Sequence, residues 1–232
     1  MRIVNYKSLY QLTIMPNFFP VNVYVIEEEK TLTLIDTGLS MMVPKILRFS
    51  DSLSKPITRI LLTHCHTDHI GGLSMLKEAL PNAKVIVPER ESRFMNGDFS
   101  LDPDEPNLPL KGGYSKKVIP ICDETIGHGD QIGSLTAIWT PGHTPGTTSY
   151  WSAQDKILIV GDALQTKGGL AIAGMINWSF PFPAMATWSK ALAIKSAEKI
   201  LEIEPEVIAP GHGNLLHKPL LELEKAIRKV KK

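Results

Sequence analysis

The chain is poor in several features that would each have marked a class of protein. Two cysteines, Cys65 and Cys122, in 232 residues do not make a disulfide framework. The formal net charge is only +1, so no field of one sign favours nucleic acid or an anionic membrane. No segment approaches the roughly 20 consecutive apolar residues of a membrane span. The start, Met1-Arg2-Ile3-Val4-Asn5-Tyr6-Lys7, lacks the continuous apolar stretch of a signal peptide. Linkers, low-complexity tracts and repeats are missing too. These absences lead us to expect a cytoplasmic protein that meets neither membrane nor nucleic acid. A hydrophobic content of 43% over 232 residues is enough for one large core, so residues 1–232 are expected to form a single domain.

Histidine is sparse as well, seven in all, yet five of the seven sit in settings that suit metal ligands. The densest reads Thr63-His64-Cys65-His66-Thr67-Asp68-His69, followed by Ile70-Gly71-Gly72. Imidazole nitrogens beside an anionic oxygen are the donors favoured by zinc and by iron or manganese. The competing reading is a histidine-rich loop that binds nothing. Ile57, Thr58, Arg59, Ile60, Leu61 and Leu62 read as a buried strand, and Leu73, Leu76 and Leu80 follow at helical spacing. The cluster therefore lies on a loop between the C-terminal end of a strand and a helix, a common place for catalytic groups. If that loop starts extended, His64 and His66 project to one side and Cys65 to the other, which makes Cys65 a packed thiol rather than a ligand.

Further ligand types recur downstream. His143 lies in Thr140-Pro141-Gly142-His143-Thr144-Pro145-Gly146, after an apolar run that ends at Trp139. His212 lies in Ala209-Pro210-Gly211-His212-Gly213, and Asp162 ends the apolar strand Ile157-Leu158-Ile159-Val160-Gly161. Glycine admits strained backbone angles and proline stiffens the turn, so both histidines are fixed at strand ends. Five histidines and two aspartates on four strand ends are enough for two metal sites. His128 and His217 fit no ligand position.

In their order along the chain, Asp36-Thr37-Gly38, the run from His64 to His69, His143, Asp162 and His212 resemble the metallo-β-lactamase superfamily, and the resemblance covers nearly the whole chain. It implies an α/β fold, a four-layer αββα sandwich with a two-metal site at one edge. By that likeness His64, His66 and His143 hold a first ion, Asp68, His69 and His212 hold a second, and Asp162 bridges them. The implied cofactors are two divalent metal ions, zinc ahead of iron or manganese. The likeness also puts Asp36 beneath the site, where a ligating histidine needs a partner for its other ring nitrogen. The same D-T-G tripeptide carries the catalytic aspartate of aspartic proteases, but those need two and this chain has one.

Two cations about 3.5–4 Å apart would lower the pKa of a shared water and polarise the scissile group. The expected activity is a dinuclear metal-dependent hydrolase that attacks an ester, lactone or thioester carbonyl with a metal-bridging hydroxide. Asp68 is the expected catalytic residue, orienting the hydroxide as well as binding metal. The bridging Asp162 and the ligand His69 resemble glyoxalase II-like thioesterases, lactonases and phosphodiesterases more than true β-lactamases, which lack the bridging aspartate. Glyoxalase II proper carries a C-terminal helical extension for which this chain ends too early, which weighs against a glutathione thioester. One alternative is a mononuclear iron persulfide dioxygenase, which uses a similar first-site set. The other is a metal-dependent phosphodiesterase or ribonuclease. The complete second set argues against the former and the neutral charge against the latter.

Residues 168–188 hold Met175, Trp178, Phe180, Phe182, Met185 and Trp188. They read either as a satellite cluster under a long loop or as an apolar wall beside Asp162. The wall would suit a small-molecule substrate with an apolar or acyl portion, with Trp178 and Phe180 as its contacts. Elsewhere, residues 21–27 and 31–36 read as paired strands, and residues 84–87 as another. Residues 94–117 read as a long loop, and strands recur over 117–160. Ser40 is expected to cap a helix reaching about Leu53, Thr187 one reaching about Ile203, and Pro219 to open a last amphipathic helix.

Overall fold

Alternation along the strands divides the apolar residues among three cores, and three cores require four layers. In the computed structural model, which describes residues 1–231, two sheets lie face to face with helices outside each. The first sheet has strands β1 (Arg2–Tyr6), β2 (Leu9–Ile14), β3 (Val21–Glu27), β4 (Leu32–Ile35), β5 (Ile57–Leu61), β6 (Lys84–Pro88) and β7 (Glu124–Ile126), side by side in chain order. Pairing is antiparallel up to β4 and parallel from β4 onward. The second sheet runs through β8 (Gln131–Ile132), β9 (Leu135–Trp139), β10 (Thr148–Ser152) and β11 (Ile157–Gly161). A hairpin, β12 (Leu164–Gln165) with β13 (Ala171–Ile172), stands apart, and β14 (Val207–Pro210) and β15 (Leu216–His217) complete the second sheet beside β11.

Period-two alternation accounts for the layering. Ile35 of β4, Leu61 of β5 and Ile157 and Ile159 of β11 face the core between the sheets. Leu34 and Ile60 turn outward to α1 (Val43–Ser52), α2 (Thr67–Ile70), α3 (Leu73–Ala79) and α4 (Glu89–Met95). Leu158 and Val160 turn outward on the other side. After the short α5 (Phe182–Met185), α6 (Lys190–Ile203) and α7 (Leu220–Val230) cover that face with Ala193, Ala197, Leu223 and Ile227. The αββα sandwich is thus the observed fold. Among the described residues no helix is long and apolar enough to cross a membrane.

Five elements depart from the sequence expectation for definable reasons. Ser40 starts a short 3-10 turn, and the α-helix begins at Val43 with Pro44 in its first turn. Ser189, not Thr187, caps α6, because the Thr187 hydroxyl is already committed to the Pro183 carbonyl and to His143. The first two strands and α4 were not anticipated. β1 is an edge strand with mostly exposed side chains and no alternation to read. Parallel β4 and β5 in one sheet, and parallel β11 and β14 in the other, deliver their following loops to one end of the sandwich.

Candidate metal centre

The loop after β5 is held from below by Asp36, which follows β4 with φ of 59°. Its carboxylate accepts from the Thr63 amide and hydroxyl, both at 2.8 Å, and from His69 Nδ1 at 2.7 Å. The Thr37 and Gly38 amides donate to the His69 carbonyl at 2.7 and 3.1 Å. From the other side, Asn22, the Tyr24 hydroxyl and Gln11 donate to the Pro210 or Gly213 carbonyls and fix the turn that carries His212. Gly211 is obligatory in that turn: a Cβ there would lie 2.2 Å from Asp162 Oδ1.

The structure brings all seven sequence-derived ligand candidates together. His64, His66 and His143 form one trio, His64, His69 and Asp162 a second, and Asp68, His69 and His212 a third, with ligand atoms within 4.8 Å of one another in each. All but Asp68 are buried. Asp162 stands in the middle, with oxygens 3.4 Å from His69 Nε2, 3.4 Å from His143 Nε2 and 3.2 Å from His212 Nε2. Asp68 lies 3.3 Å from His212 Nε2. His128 and His217 are elsewhere on the exposed surface, as expected. Cys65 points into the helical side of the first sheet and donates to the Glu91 carbonyl.

The outer nitrogen of each ring fixes its tautomer. His69 Nδ1 donates to Asp36, His212 Nδ1 to the Pro20 carbonyl at 2.6 Å and His66 Nε2 to the Lys111 carbonyl at 3.0 Å. The Thr63 and Thr187 hydroxyls spend their protons on Asp36 and on the Pro183 carbonyl, so each accepts from its histidine, His64 Nδ1 and His143 Nδ1. The inner nitrogens of His64, His66 and His143 are therefore bare lone pairs, whereas those of His69 and His212 face the Asp162 carboxylate. His66 Nδ1 and His143 Nε2 face each other at 3.0 Å with no proton to share. His64 Nε2, His69 Nε2 and Asp162 Oδ1 are buried with no hydrogen-bond partner. Lone pairs crowded this way repel unless a cation lies among them. Donors about 2.0–2.1 Å from a tetrahedral zinc are about 3.3 Å apart, close to the separations here.

Electrostatics divides the cluster. Burial, helped by the neighbouring imidazoles, holds His64 well below the usual histidine range; burial also pushes His66 down to about 4 and His143 down to about 3. Burial pulls the same way on His212 and His69, but Asp162, with Asp68 and for His69 also Asp36, outweighs it, taking His212 up to about 10 and His69 well above its usual value. Burial opposes ionisation of Asp68 and Asp162, yet His69 and His212 keep both carboxyls well below the usual range. One trio is thus neutral imidazole, and the rest of the cluster is rich in carboxylate.

A cleft of about 440 Å³ opens onto His66, Asp68, His143, Asp162 and His212. Its apolar side is Phe19, Phe182, Pro183, Met185 and Ala186, and its far lip is Gly112 and Gly113. Trp178 is 87% exposed and lines a different depression, so it is not a wall of this cleft. Phe180 is 1% exposed and packs behind the wall against Phe19, Phe182 and His212. A larger groove of about 620 Å³ lies at the start of β5 and β6 and touches none of the seven residues.

A four-layer sandwich with a buried histidine–aspartate cluster at the strand ends defines a class of metal-binding protein. The family model described as the metallo-beta-lactamase superfamily matches residues 16–212, and the chain belongs to that superfamily. It is 47% identical over 232 residues, all of both chains, to the uncharacterized protein YobT of Bacillus subtilis. It is 29% identical to the probable metallo-hydrolase YybB of the same organism, covering 86% of this chain and 83% of that one. It is also 27% identical to a hydroxyacylglutathione hydrolase of Bdellovibrio bacteriovorus, over 65% of this chain and 51% of that one. Among solved structures, the metallo-beta-lactamase FIM-1 from Pseudomonas aeruginosa, in its mono-zinc form, superposes with a TM-score of 0.74 at 17% identity, over 98% of this chain and 95% of that one.

Proposed function

We propose that this chain is a hydrolase that holds two divalent metal ions, zinc by preference, and opens an ester, lactone or thioester bearing an apolar group. The observation that carries the reading is the set of inward lone pairs, above all His66 Nδ1 facing His143 Nε2 at 3.0 Å. His64, His66 and His143 would hold one ion, Asp68, His69 and His212 the other, with Asp162 between them. When bound, such ions supply a nucleophile from water near neutral pH and a Lewis acid for the scissile carbonyl.

The chain's own groups do the rest. Asp68 is the one ligand candidate that is not buried, and it borders the cleft, where its carboxylate can accept a hydrogen bond from the attacking water and hold it in line. Phe19, Phe182 and Met185 give an apolar substituent a surface and keep bulk water from that side. Among the described residues no lysine or arginine lines the cleft, which favours an uncharged substrate portion over a phosphodiester. The trio of Asp68, His69 and His212 favours a two-ion hydrolase over a one-ion dioxygenase. Two free thiols suit a reducing compartment, and we extend the proposal to the cytoplasm. A panel of aryl esters, lactones, thioesters and bis-p-nitrophenyl phosphate, run with zinc, manganese and iron, tests this. Turnover of carbonyl substrates is expected. Turnover of the phosphodiester alone, or oxygen uptake with a persulfide, would overturn it.

A further inference from the structure

Glu91, on α4, is a fully buried carboxylate that the proposed chemistry does not use. Burying an ion is costly unless hydrogen bonds and charge compensate it. Among the described residues no lysine, arginine or histidine pairs with it; Arg90 beside it is engaged by Glu105. Its compensation comes from two loops. Oε2 accepts from the Cys65 amide at 2.8 Å, and Oε1 accepts from the Thr144 hydroxyl at 2.7 Å and the Gly146 amide at 2.9 Å. The fit is tight, since a Cβ on Gly146 would lie 2.8 Å from Glu91 Cγ. Cys65 stands between His64 and His66, and Thr144 follows His143. One carboxylate therefore grips the backbone of both loops that supply the neutral trio. Burial raises the Glu91 pKa, and the donors from Thr144, Cys65 and Gly146 oppose that rise.

We propose that Glu91 is the positioning residue of the three-histidine site: it ties the loop of His64 and His66 to the loop of His143, and it supplies buried negative charge that three neutral imidazoles lack. The inference rests on the reading that this trio holds a metal ion. It differs from a plain structural pin because it makes the ion's affinity and ligand geometry, beyond the fold's stability, depend on one charge outside the ligand set. An amide in place of the carboxylate keeps the shape but has one acceptor oxygen. Its NH₂ must then face either the Cys65 amide or the Thr144 and Gly146 donors, so one loop loses its hold.

The test strips wild type, Glu91→Gln, Thr144→Val and Leu76→Ala of metal and titrates each with zinc(II) against a chromophoric chelator. Cobalt(II) absorption spectra and thermal melts accompany the titration, and His143→Ala identifies the step belonging to the trio. Leu76 is buried in the same layer, is not a ligand candidate and controls for lost stability. For Glu91→Gln we expect the trio's affinity to fall roughly 10–100-fold, the usual scale for an outer partner of a ligand, with a changed cobalt spectrum. Thr144→Val should show a smaller loss of the same kind and decides the matter if Glu91→Gln does not fold. Leu76→Ala should melt lower with its affinity unchanged. Wild-type affinity and spectrum in Glu91→Gln, or an equal affinity loss in Leu76→Ala, would overturn the role of Glu91. No zinc uptake by wild type would instead defeat the metal reading on which it rests.

Discussion

Each of the five clustered histidines has its outer nitrogen spoken for and turns the other into the cluster. The partners differ in kind: a carboxylate for His69, hydroxyls for His64 and His143, and backbone carbonyls for His66 and His212. The ligand candidates were legible in the sequence because their chemistry is carried by their own side chains. Asp36 was legible through its motif. Lys111 and Pro20 were not, because any residue can offer a carbonyl and only the fold says which one arrives. Gly112 belongs to the same hidden group. Its φ is 97°, and a Cβ there would lie 2.2 Å from His66 Nε2. Gly112→Ala must push the loop away and take the Lys111 carbonyl with it. The expected result is a metal affinity roughly 10–100-fold lower, the scale seen when a ligand loses its outer partner. Chelator competition measures it, and affinity equal to wild type would show that the close approach is not needed.

Among the elements, the strands that end in ligand candidates read clearly, because runs such as that of β11 alternate between two cores and stop at a glycine or a polar residue. Residues 168–188 read less clearly. Their aromatic content promised a wall without saying which ring forms it, since no period relates a loop residue to a cleft. The structure turns Trp178 to solvent, buries Phe180 behind the wall, and gives the surface to Phe182 and Met185 of the α5 turn. Phe19, in the turn between β2 and β3, was missed for the same reason. α4 was not anticipated, and Glu91 lies in it among charged residues that give no sign of which one is buried. A chain-length series of esters or lactones separates these rings. Phe182→Ala and Met185→Ala should lower kcat/KM for long apolar tails about tenfold, since an apolar contact of this size is worth roughly 1–3 kcal/mol, and should spare short ones. Trp178→Ala should leave both unchanged. Equal losses for short and long tails would remove the wall from substrate recognition.

At the scale of the molecule, the cluster spans the two halves of the sandwich. His64, His66, Asp68 and His69 follow a strand of the first sheet, while His143, Asp162 and His212 follow strands of the second. Ions held among them would cross-link the sheets and stabilise the folded state alone. An ion at a thousandfold excess over its Kd adds about 4 kcal/mol, and each kcal/mol moves the Tm of a chain this size by about 2–4 °C. Chelation should therefore lower Tm by at least about 8 °C, and zinc should restore it. A Tm indifferent to chelator, in protein shown to have lost its metal, would mean that the ions do not join the halves.

If the seven side chains form a two-ion site with Asp162 between the ions, metal content must depend on Asp162. Elemental analysis of wild type and Asp162→Ala, each prepared in metal-replete medium and dialysed against chelator-free buffer, measures that dependence. Two ions per chain are expected in wild type, falling to one or fewer in Asp162→Ala with at least a hundredfold loss of hydrolysis. A stable value of one in wild type, with no second ion taken up on titration, or two ions retained in Asp162→Ala, would contradict the two-ion site.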